Sequence, residues 1–193
     1  MTAVSPRTKP ISRLRVPDPA APLPAPVERF FATCQKNGGF VPNYFRAHSL
    51  NADNLAKLNG YMLPLLDGAQ GLLPIREREL ICLVVSAHNG CSYCQVFHMD
   101  SLGKVLGDKG MAQRICLNYR EEDLSERETA ICDLAIKVTE DPHSVSDDDI
   151  AGLRTLGLDD TEILEAIEVA ALINATNRVC ISLGVPIDME FFE

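Results

Sequence analysis

Residues 74–98 read PIRERELICLVVSAHNGCSYCQVFH, and this stretch decides the fold. Pro74 suits a first helical turn, where its missing N–H would have no intrahelical acceptor anyway. The pattern that it opens runs to about His88 and contains an apolar run from Leu80 to Val85. Asn89-Gly90 then breaks it, and Cys91 starts the next helix. Two helices joined by so short a turn fold back as an antiparallel hairpin.

Working outward, the rest of the chain also reads as helix after helix, with no convincing period-2 strand. Val27 to Lys36 ends at Asn37-Gly38-Gly39, a stop signal. Val41-Pro42-Asn43 restarts a short helix towards His48, and Ala52 to Leu66 forms another. Ser125 with Glu128 makes a capping box, and Asp141-Pro142 closes the helix that it starts. Ser146 caps a short helix, and Asp159 or Asp160 caps a long final one reaching about Leu183. That last helix is apolar on more than one face, as a subunit interface or a central core helix would be. The expected fold class is all-α.

Residues 1–26 hold seven of the 12 prolines and are expected to form an extended arm; residues 27–193 are expected to form one domain. Arg7, Lys9, Arg13 and Arg15 on that arm read as solvated cations. A formal net charge of -9 argues against a nucleic-acid partner, because phosphates could not be neutralised in bulk. The apolar run at residues 80–85 is far short of a membrane span, and the N-terminus lacks the apolar core of a secretory signal. Seven cysteines in such a chain fit a reducing cytoplasm, where a single C-x-x-C is catalytic or metal-binding more often than structural. Cys82, Cys116, Cys132 and Cys180 sit singly among apolar residues and read as small core side chains.

The chemistry concentrates in Glu79, Cys91, Cys94 and His98, spaced E-x11-C-x2-C-x3-H. On a helix, both cysteines and the histidine fall within roughly 60° of arc. His98 is one turn from Cys94 and two from Cys91, so the imidazole is better placed to deprotonate Cys94. The helix dipole favours Cys91 instead, and spacing alone leaves the choice open. A close thiol pair with an imidazole one turn away and a nearby carboxylate has the parts that a thiol peroxidase needs; on that expectation Cys94 is the thiolate that meets peroxide, and Cys91 the resolving thiol that also meets the external reductant. Glu79 lies about ten residues before the turn and His98 about eight after it, within roughly 3 Å of the same depth along the hairpin. A carboxylate there can hold the imidazole's tautomer or relay a proton.

The segment from Glu79 to His98 resembles the active site of the alkylhydroperoxidase D-like family, within the carboxymuconolactone decarboxylase superfamily. The likeness extends to Gly39-Phe40-Val41-Pro42-Asn43, Asn118-Tyr119-Arg120, Asn177-Arg178 and Leu183-Gly184, as in the peroxidase-related branch. It implies an all-helical oligomer (trimer or hexamer) that reduces hydroperoxides with a cysteine pair, without a bound cofactor or metal. A lipoamide-like external dithiol, or its carrier protein, recycles the pair. Studied members have histidine between the cysteines where this chain has Tyr93; a tyrosine donates a hydrogen bond but is no base near neutral pH. Tyr93 and His88 are therefore secondary site candidates, with His88 expected to be structural.

Three rival readings remain at this stage. Two thiolates, an imidazole and a carboxylate could bind zinc, although three of them lie along one helix and structural zinc usually draws ligand pairs from separate elements. The lyase branch that names the superfamily lacks the cysteine pair. A redox sensor needs the same pair but oxidises once, without turnover. Asn174, Asn177 and Arg178, polar on an apolar helix, are expected to pair across a subunit interface or to line the pocket floor, the interface being preferred; His48, His143 and Asp147-Asp148-Asp149 read as helix-end residues.

Overall fold

A computed structural model describes residues 10–18, 21–66 and 70–192. Among the described residues, nine α-helices run in the order α1 (Ala25–Gly38), α2 (Asn43–His48), α3 (Ala52–Leu66), α4 (Ile75–His88), α5 (Ser92–Leu106), α6 (Lys109–Asn118), α7 (Glu126–Glu140), α8 (Asp147–Thr155) and α9 (Asp160–Leu183). No strand occurs among the described residues.

The helix ends follow the local chemistry. Ser125, Ser146 and Asp159 each make a reciprocal capping box with the residue three places on, which settles the start of α9 on Asp159. Pro74 is the residue before α4 and not its first helical one. Gly107, at a positive φ of 67°, closes α5 and separates it from α6, a break that apolar spacing alone does not reveal. The notional arm boundary at residue 26 falls inside the first turn of α1.

Helix α4 is the axis of the molecule. Every residue from Glu77 to Ser86 is buried, because α3, α5, α6, α7 and α9 surround it. The charges at its start are held by partners, with Arg76 still partly exposed. Arg76 pairs with Glu128, and Glu77 takes two hydrogen bonds from Arg127, which also reaches Glu162. Arg78, 1% exposed, donates to the Leu65 carbonyl at 3.2 Å and lies 3.8 Å from Glu165. Glu165 also accepts from the backbone N–H groups of Leu72 and Leu73 at 2.7 and 3.1 Å. A β-carbon on Gly71 would come 2.1 Å from the Arg78 guanidinium, so the loop before α4 needs glycine to pass it.

Helix α9 is a core helix, packed on α3, α4 and α7. By length and composition it could cross a membrane, yet it lies inside the helical packing and buries Glu165 and Asn177. Its stripe Ala166, Ala170, Ile173, Asn177 and Cys180 is buried at alternating spacings of four and three, one face of a helix. Arg13 is not simply solvated. Its backbone N–H and guanidinium donate to the carbonyls of Leu183, Ile181 and Ser182, groups that the end of α9 leaves without helical partners. Arg7 and Lys9 lie outside the described residues.

Candidate active site

The turn between α4 and α5 is fixed from both sides. Gly90 takes a positive φ of 66°, and the Cys91 N–H donates to the Ser86 carbonyl at 3.1 Å. From α9, the side-chain oxygens of Asn174 and Asn177 both accept from the Asn89 amide, at 2.9 and 3.0 Å. Asn177, fully buried, also donates to the Ser86 hydroxyl. These asparagines thus pair within the chain, where the sequence suggested a subunit interface. Satisfying the turn's polar groups in this way allows it to be buried.

Cys91 is the N-cap of α5 and Cys94 lies in its first turn. The two are joined as a disulfide, with Cα atoms 5.3 Å apart. Cys94 lines a pocket of about 220 Å³ together with Glu79, His98 and Tyr93, walled mainly by apolar side chains such as Phe45, Met62, Phe97 and Ile173. Cys91 is only 1% exposed and does not line this pocket. Of the two sulfur-bearing residues, Cys94 is therefore the one that this pocket reaches.

Glu79 is buried and its carboxylate lies 3.0 Å from His98 Nδ1, as the hairpin spacing requires. An Nδ1–H donated to Glu79 leaves Nε2 as the nitrogen for proton transfer. One turn along α4, Cys82 brings its sulfur within 4.8 Å of the same carboxylate and imidazole. Burial and the Glu79 charge push the Cys82 thiol well up, so it stays protonated and unreactive.

Tyr93 plays a different part. Its hydroxyl donates to Asp188 Oδ2 at 2.8 Å and accepts from the Tyr44 N–H at 3.3 Å. Burial and Asp188 push the phenol up, which removes it as a base. Asp188 in turn accepts from the Asn43 N–H at 3.0 Å and so ties the C-terminal segment to the start of α2. Burial raises the Asp188 carboxyl above its ordinary range. His88 points away from the site, with Nδ1 3.6 Å from Glu140 on α7.

The sequence missed Cys180 and Asp188. Cys180 lies with its sulfur within 4.8 Å of those of both Cys91 and Cys94. The only available signal was its place on the buried stripe of α9, three residues after Asn177. The proposed zinc set divides accordingly: Glu79 and His98 gather with Cys82, whereas the cysteine pair gathers with Cys180. A larger open cavity of about 830 Å³ beside Phe40, Arg46 and Glu190 contains none of these thiols or imidazoles.

Known proteins resemble this chain in sequence and in fold. Residues 53–107 match the model of the carboxymuconolactone decarboxylase family. An uncharacterized peroxidase-related protein from Silicibacter sp. TM1040 is 31% identical, with 96% of each chain covered and a TM-score of 0.89. One from Ralstonia eutropha JMP134, described as an alkylhydroperoxidase AhpD core, is 32% identical over 95% of this chain and 96% of its own, also at 0.89. The debrominase Bmp8, solved with 2,3,4-tribromopyrrole, shares the fold at 17% identity, with a TM-score of 0.74 and coverage of 87% and 88%. No curated protein matches the chain.

Proposed function

Because this chain belongs to the alkylhydroperoxidase D-like group of the carboxymuconolactone decarboxylase superfamily, we propose that it is a thiol-dependent hydroperoxide reductase. The observation that carries the reading is the placement of Cys94 at the wall of an apolar pocket that also holds the bonded Glu79–His98 pair, with Cys91 in disulfide range.

His98 Nε2 takes the thiol proton of Cys94, and Glu79 stabilises the resulting imidazolium through Nδ1. The first turn of α5 adds its dipole to the thiolate. Cys94 sulfur attacks the terminal peroxide oxygen, the O–O bond breaks, and the departing alkoxide takes the proton back from His98. This leaves a sulfenic acid on Cys94 and an alcohol. Cys91 sulfur then displaces water to give the disulfide, and an external dithiol, lipoamide-like, returns both thiols by two exchange steps. In this conformation the first exchange is at Cys94, the sulfur that the pocket reaches. Tyr93 positions the pair through Asp188 and transfers no proton.

The mechanism uses no bound metal or cofactor. We place the protein in the cytoplasm as a homo-oligomer, trimer or hexamer. The exposed apolar side chains of Leu72, Leu117 and Leu164 support self-association. Dithiol-coupled consumption of an organic hydroperoxide tests the reading: Cys94→Ser should reduce turnover to background. Wild-type rates in that variant would overturn the mechanism.

A further inference from the structure

We propose that Cys180 is a second resolving thiol of this centre, able to condense with the sulfenic acid of Cys94 in place of Cys91. The inference rests on the peroxide reading above and goes beyond it, because the cysteine pair alone would complete that cycle.

The three sulfurs lie within 4.8 Å of one another, and all three side chains are buried. Cys180 sits one turn from the end of α9, on the stripe that faces the hairpin through Asn177. The end of α9 is held by the Gly184 cap and by Arg13, so Cys180 remains beside the pair. Rotation about its side-chain bonds, or those of Cys94, is the motion needed to close the remaining sulfur separation.

The step balances without a further reagent. Cys180–SH and Cys94–SOH give a Cys94–Cys180 disulfide and one water, with the thiol proton leaving on the departing oxygen. Cys91 normally wins, since it stands at the positive end of α5 whereas burial and the neighbouring Asp188 carboxylate push the Cys180 thiol up to about 12. Cys180 acts when Cys91 is blocked, and prevents Cys94 from climbing to the sulfinic acid. A divalent cation on the three thiolates would instead leave net negative charge buried against Asp188, so the same cluster favours thiol–disulfide chemistry over metal binding.

The test compares reduced Cys91→Ser with Cys91→Ser/Cys180→Ser, after circular dichroism shows both folded; serine is a good N-cap at position 91. Each receives one equivalent of cumene hydroperoxide or, separately, diamide. We expect the single variant to lose two thiols, to yield a mapped Cys94–Cys180 disulfide with either oxidant, and to label with dimedone at least tenfold less than the double variant. Equal dimedone labelling with no Cys94–Cys180 link would overturn the inference while leaving wild-type peroxidase activity intact. A link with diamide alone, together with wild-type thiols inert to hydroperoxide, would overturn both the peroxide reading and the resolving role.

Discussion

Cys91 and Cys94 stand between two walls of unlike construction. On one, Glu79, Cys82 and His98 come from adjoining helices of a single hairpin, and a helical ruler predicts the meeting of Glu79 with His98. On the other, Cys180 and Asp188 come from nearly a hundred residues away, Cys180 meeting Cys91 and Cys94 and Asp188 meeting Tyr93 through tertiary packing. In the proposed mechanism the first wall moves protons, whereas the second holds α5 in place and would contribute a spare thiol. The difference teaches that local spacing places catalytic groups, while long-range contacts set what they are buried against.

Substitutions on the first wall should strike turnover hardest. His98→Gln is expected to lower the dithiol-coupled kcat/KM about 100-fold or more, the range for loss of a general acid–base. Glu79→Gln should lose less, about tenfold, with a flattened pH–rate profile, because the amide still accepts a hydrogen bond from Nδ1 but no longer stabilises the imidazolium. Unchanged kinetics in both variants would break the distinction between the walls.

Behind the first wall, the Arg78–Glu165 pair fixes α4 on α9. Glu165→Ala should cost about 3–5 kcal/mol of unfolding free energy in urea titrations, since it leaves a buried guanidinium without its carboxylate. A loss under 1 kcal/mol, roughly that of a surface pair, would show that α4 does not depend on this anchor.

On the second wall the effects should fall on stability more than rate. Tyr93→Phe removes a buried hydrogen bond to Asp188 and is expected to cost about 1–3 kcal/mol while changing kcat only a few-fold. A hundredfold loss of kcat would return Tyr93 to the proton path. The smallest effect concerns pH. Burial raises the Asp188 carboxyl, so the native state holds that proton more tightly than the unfolded chain. Its contribution is complete below the unfolded aspartate value of about 3.9 and is lost as pH rises through the higher native value. Asp188→Asn should therefore flatten the fall in stability across that window, read from melting temperatures in a pH series.

Much of the first wall was legible in the sequence. Asn89-Gly90 fixed the hairpin, the capping box at Ser125 and the cap at Ser146 fixed two later helices, and counting from the turn paired Glu79 with His98. The burial of Glu77 and Arg78 was not legible, because charges adjacent along a helix normally point to solvent. Here five helices enclose α4, so each charge required its own partner. Cys180 resembled any core cysteine, since its significance depends on neighbours at positions 91 and 94. Asn177 likewise read as an interface residue because its partners, Asn89 and Ser86, lie on another helix pair.

The most direct test of the central claim is to treat the fully reduced protein with one equivalent of cumene hydroperoxide and follow thiols and products together by mass spectrometry. The account predicts that each chain loses two hydrogens, mapped to a Cys91–Cys94 disulfide, and releases one cumyl alcohol. Intact hydroperoxide beside unchanged thiols would contradict it.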